Sequence, residues 1–125
     1  MLILLPPSES KTGRYRGRAL DLERLSLPAL TEHRAAVVAA VAEVSSGPGA
    51  PAVLGVSPNL TDEIARNTRL TSAPSVPVSD LYTGVLYDAL DLSTLEPAAR
   101  RRAKRRILVV SALFGALRLT DRVPP

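Results

Sequence analysis

The sequence predicts a mixed α/β fold of short buried strands and several helices, on three observations. Two apolar runs, Leu2–Leu5 and Ile107–Val110, have the length and composition of buried strands. Between them lie stretches whose apolar residues recur three, four or seven positions apart, the spacing of a helix face. No hairpin-turn signal joins two strand-like runs. Two strands and four or five helices in a single domain fit the 125-residue length.

Taken in order, Leu2–Leu5 exits into Pro6-Pro7 and the polar turn SESKT. The glycines and charges of Gly13–Arg18 read as a loop. Ser26 is the expected N-cap of a helix over residues 28–44, with Pro28 in its first turn. Leu30, Val37, Val38, Val41 and Val44 would form its buried face. Residues 45–51 (SSGPGAP) break it. A short apolar segment, Ala52–Leu54, precedes GVSPNL and a second helical pattern through Ile64 and Leu70. Residues 71–79 are proline-rich and extended, after which Ser79 or Asp80 would cap a short helix over Leu81–Leu86. Leu92–Arg106 is a basic helix entered through Glu96 and Pro97. A capping box from Ser93 to Glu96 also fits by spacing, but it places Pro97 where a backbone N–H is wanted.

Composition narrows the chemistry. One Phe and three Tyr leave the core few large anchors. The chain has no cysteine, which excludes disulfides and thiol catalysis, and His33 alone cannot build a histidine metal site. No metal and no cofactor are expected. Met1–Leu5 lacks the length and the basic flank of a signal peptide, and no apolar run reaches membrane-spanning length. A cytoplasmic protein without membrane contact is expected. The net charge of +4 is concentrated: RRRAKRR at residues 100–106 carries six positive charges, leaving ten Lys and Arg against twelve acids elsewhere.

Three motifs carry chemistry. In VLGVSPNLTDEI, Gly55, Val56, Pro58 and Ile64 fall where a helix-hairpin-helix element places glycine, an apolar residue, proline and an apolar anchor. Such a hairpin lets backbone N–H groups approach a phosphate. Its usual second glycine is Ser57 here, and Asp62 and Glu63 add negative charge nearby. A plain helical corner in the core is the alternative. In the basic helix, Leu95, Ala99 and Ala103 make a narrow apolar stripe, so Arg101, Arg102, Lys104 and Arg105 can face phosphates. A solvated face paired with acids elsewhere is the alternative.

Third, Ser8, Ser10, Lys11 and Thr12 follow the first strand and suit an anion at its carboxyl end, or simply form a turn. Tyr82 and Tyr87 flank Gly84, as core filling or as part of the same crevice. Ser111, Gly115, Arg118 and Asp121 supply a second lip where the second strand ends. Two functions follow: binding of double-stranded DNA through the hairpin and arginines, or an enzyme acting on a small anionic or nucleotide-like substrate between residues 6–12 and 111–121. No Ser-His-Asp order or close acid pair assigns a catalytic residue.

LILLPPSESKT, YTGVLY and SALFGALRLTD, in that order, resemble the YaaA-type peroxide stress protein family. The matching positions are Pro7, Lys11, Thr12, Tyr82, Gly84, Ser111, Gly115, Leu117, Arg118 and Asp121, with Phe114 at the aromatic position and Leu119 where the family usually has Pro. The resemblance implies a domain roughly twice this long, of which residues 1–125 would be the amino-terminal half. It also implies a cytoplasmic protein that limits free iron and oxidative DNA damage. A basic cleft with a helix-hairpin-helix-like element would bind DNA without sequence preference.

Overall fold

A computed structural model describes residues 1–13 and 16–125. Arg14 and Tyr15, in the loop predicted at 13–18, lie outside the described residues. The fold is mixed α/β. Three strands form the main sheet: β1 (Ile3–Leu5), β3 (Ile107–Ser111) and β4 (Gly115–Arg118), in the order β1-β3-β4. The pairing of β1 with β3 is parallel and that of β3 with β4 antiparallel. A second, two-stranded sheet pairs β2 (Val76–Pro77) with β5 (Arg122–Val123). The helices are α1 (Thr31–Ser46), α2 (Ala50–Leu54), α3 (Thr61–Asn67), α4 (Val78–Leu81), α5 (Val85–Leu90) and α6 (Pro97–Arg106).

The core gathers around β3 and β4, where Val109, Leu117 and Leu119 are fully buried with Val78, Leu81, Phe114 and Val123. Both predicted strands form. The expectation of no hairpin is corrected: β3 and β4 are joined by the three-residue turn Ala112–Phe114. Gly115 closes it at φ +70°, a left-handed conformation that glycine adopts without steric cost. GALR lacks the alternation of a strand, so its pairing is dictated by the turn.

The predicted helix at 28–44 is corrected at both ends. Residues Pro28–Leu30 make a 3-10 turn, and α1 runs from Thr31 to Ser46. Ser26 does not cap it, because α1 begins at Thr31 with Leu30 at the N-cap; the Ser26 amide and hydroxyl instead donate to Asp121 at 2.8 Å. The buried stripe of α1 is Arg34, Val38 and Ser45, while Val37 is exposed.

Ala52–Leu54 belongs to α2 and is helical. The expected helix over 81–86 is two helices, α4 and α5, split at Tyr82–Gly84, so Asp80 lies inside α4 instead of capping it. That break is where residues 10–12 cross the chain: Thr12 N–H donates to the Leu81 carbonyl and Thr83 N–H to that of Ser10. The basic helix is entered as expected, with Glu96 at the N-cap and Pro97 in its first position, while Leu92–Leu95 lie ahead of it outside the helix. With Glu96 as the N-cap no capping box from Ser93 forms, and the Ser93 hydroxyl donates to Asp91. No helix among the described residues is long and apolar enough to cross a membrane.

Candidate nucleic-acid interface and adjoining crevice

Proline at its first position starts α6 at no cost in hydrogen bonds. Ala99 and Ala103 are half-buried, and Ala103 packs against the core, as the predicted stripe requires. The arginines then divide by role. Arg100 folds back and donates to the carbonyls of Leu92, Ser93 and Leu95, fastening the segment that enters the helix. Arg101, Arg102, Arg105 and Arg106 are exposed. The single ion pair among the described residues joins Arg24 to Asp21, so these four guanidinium groups face solvent without an acid partner there. Lys104 is half-buried beside Arg100 in a cavity of about 530 Å³.

In the segment from α2 to α3, Gly55 adopts φ +65°, the left-handed position that ends α2. The amides of Gly55 and Val56 donate to carbonyls of Ala52 and Pro51, so they are engaged within the turn. Ser57 closes the loop, its carbonyl accepting from Leu60 and its hydroxyl from Asn59. Ile64 is buried, and Asp62 and Glu63 are exposed at the start of α3.

Part of the predicted crevice assembles at the carboxyl ends of the parallel pair β1 and β3. Lys11 bridges to Tyr82, and Ser8 Oγ lies 3.2 Å from where a Cβ on Gly84 would sit. Thr12 is held through its amide, as above. The Tyr82 and Tyr87 rings stack with centroids 5.4 Å apart, and both line the 530 Å³ cavity with Asp80, Asp88 and Asp91. The Tyr87 hydroxyl donates to the Pro6 carbonyl. Burial raises the pKa of Tyr82, an effect opposed by the Ser111 hydroxyl beside it. Burial, and then Tyr82, push Tyr87 up to about 12. Ser111 also accepts from the amides of Leu113 and Phe114, so its hydroxyl shapes the hairpin turn.

The other predicted members lie elsewhere. The Lys11 side chain borders a separate cavity with Leu54, Val56 and Ile64, where desolvation and then Arg66 lower its pKa. Gly115 faces Leu30. Arg118 reaches the carbonyl of Arg105. Asp121 is buried, accepting from Ser26 and from the Arg118 amide. Tyr82 thus meets Ser111 and the backbone of Lys11, while the Lys11 side chain, Arg118 and Asp121 have other surroundings. Arg34, a buried charged residue, escaped sequence reasoning although its spacing marks it: it lies four residues after Leu30 and four before Val38, on the predicted apolar face of the helix. Among the described residues no group of three or more His, Asp or Glu side chains is placed to hold a metal.

The sequence model for the peroxide stress protein YaaA matches residues 1–125. The chain is 52% identical over 126 residues to UPF0246 protein SCO2297 of Streptomyces coelicolor, covering 99% of this chain and 48% of that protein. It is 47% identical over 124 residues to UPF0246 protein CE1889 of Corynebacterium efficiens, covering 99% and 49%. A UPF0246 protein of Shewanella loihica is 29% identical over 132 residues, covering 97% and 47%. The chain thus spans about half the length of these curated relatives.

Proposed function

The chain belongs to the peroxide stress protein YaaA family, and from that membership we propose that its α6 face holds duplex DNA without sequence preference. One observation carries the reading: Arg101, Arg102, Arg105 and Arg106 are exposed on one short helix and have no acid partner among the described residues. Such a cluster has a strong affinity for phosphate through bidentate, salt-sensitive contacts. The amides of Gly55 and Val56 are engaged within their own turn, so the α6 arginines carry the phosphate contacts in this reading. The family likeness supports a cytoplasmic role in which the whole protein limits free iron and, with it, oxidative damage to DNA.

The test is binding of this chain to a random-sequence duplex, alongside the triple variant Arg101→Glu, Arg102→Glu, Arg105→Glu. Loss of binding with an unchanged circular-dichroism spectrum supports the reading. Retained affinity rejects it. The second reading, an enzyme on a small anionic or nucleotide-like substrate, is favoured by the Tyr82–Ser111 crevice at the strand ends. It lacks its expected anion clamp of Lys11 and Arg118, because the Lys11 side chain borders a different cavity and Arg118 donates to the Arg105 carbonyl.

A further inference from the structure

Parallel strands are found almost solely where both faces of the sheet are covered. One face of the β1–β3 pair is covered here, since Ile107, Val109 and Leu117 lie in the core and Leu5 packs against it. The register places Leu4 beside Leu108 and Val110 beside Ala116 on the opposite face. There Leu4 is 64% exposed and Val110 46%, and Leu2, just ahead of β1, is 61% exposed, while Leu108 on the central strand is already buried at 7%. The outer edge of β1 has no strand partner among the described residues. An aliphatic face ending in an open strand edge marks a contact surface.

We infer that this face seats the portion of the family fold that the relatives carry outside the span matched by this chain. That portion is about as long as the chain itself. The chemistry of the face selects this occupant. It is aliphatic across β1 and β3, with Arg118 as its charged member on β4, so it suits an apolar covering layer. The open β1 edge accepts an added strand through main-chain hydrogen bonds. The inference rests on family membership and not on the DNA reading.

Because the chain has no cysteine, Leu4→Cys and Val110→Cys report on this face alone, with Glu43→Cys on exposed α1 as control. Each variant is produced alone and together with the unmatched half of the Streptomyces coelicolor relative, then treated with a thiol reagent. Alone, all three label quickly. In the co-produced pair, positions 4 and 110 label roughly tenfold or more slowly while position 43 is unchanged. Joint replacement Leu4→Glu, Val110→Glu abolishes co-purification, and the circular dichroism of the chain stays the same. Failure of the two halves to co-purify, or unchanged labelling in the pair, overturns the inference. So does slow labelling of the chain alone with a doubled mass, which would mean that a second copy occupies the face.

Discussion

Arg34 and Asp121 are joined through one residue: the Ser26 carbonyl accepts from the Arg34 guanidinium at 2.8 Å, while the Ser26 amide and hydroxyl donate to Asp121. Arg34 also donates to the carbonyls of Phe114 and Ala116 in the β3–β4 hairpin. One arginine of α1 thus ties the start of its own helix to a turn some eighty residues away. Burial lowers its pKa and the nearby Asp121 charge opposes that shift. The charge is tolerated because the planar donor fork meets several carbonyls at once.

Replacing Arg34 with Met leaves those buried carbonyls without donors. The expected loss is about 3–5 kcal/mol of folding stability, read from urea denaturation. A loss below about 1 kcal/mol would show that the network is dispensable.

The two described tyrosines set an alkaline limit. Their folded pKa values lie above the ordinary phenol value, so between pH 10 and about 12 the folded chain binds more protons than the unfolded one. Stability therefore falls as pH rises through that window and is unaffected by these groups below it. In an ultraviolet tyrosinate titration the last step should centre near 12 and vanish in Tyr87→Phe. Complete ionisation by about pH 10.5 would contradict the stacked, buried arrangement.

Arg100 and Arg101 are neighbours with opposite duties. Arg100→Gln should cost about 1–2 kcal/mol, because its carbonyl contacts fasten the entry to α6. Arg101→Gln should leave stability within about 0.5 kcal/mol while weakening duplex binding. Equal stability losses would mean that Arg101 is also structural.

Gly55→Ala forces a side chain into the left-handed region and should cost about 1 kcal/mol in thermal denaturation. Gly49→Ala, at φ −91° with open space around it, should be neutral or slightly stabilising. A neutral Gly55→Ala would mean that the turn relaxes and does not hold its shape.

Local signals were legible and long-range ones were not. Pro97, the alanine stripe and the charge run located α6, and aliphatic composition located β1 and β3. Ser26 has the composition of a cap, but a 3-10 turn at Pro28–Leu30 delays the helix to Thr31 and Ser26 bonds a carboxylate 95 residues away. Asp121, expected at the second lip, is buried and accepts from Ser26 and the Arg118 amide, contacts that no local pattern announces. GALR was overlooked as a strand because its pairing depends on the Gly115 turn, not on its own pattern. In the candidate site, the crossing of residues 10–12 over Tyr82–Thr83 brought distant motifs together through backbone hydrogen bonds, which no side-chain pattern announces.

The affinity of this chain for a random-sequence duplex, measured across a salt series, tests the central proposal most directly. Contacts from the exposed α6 arginines predict that log affinity falls linearly with log salt, with a slope of roughly −3 to −5, and that reversing Arg101, Arg102 and Arg105 flattens it. A slope near zero, or one that the reversal leaves unchanged, would contradict the assignment of α6 as the DNA-binding face.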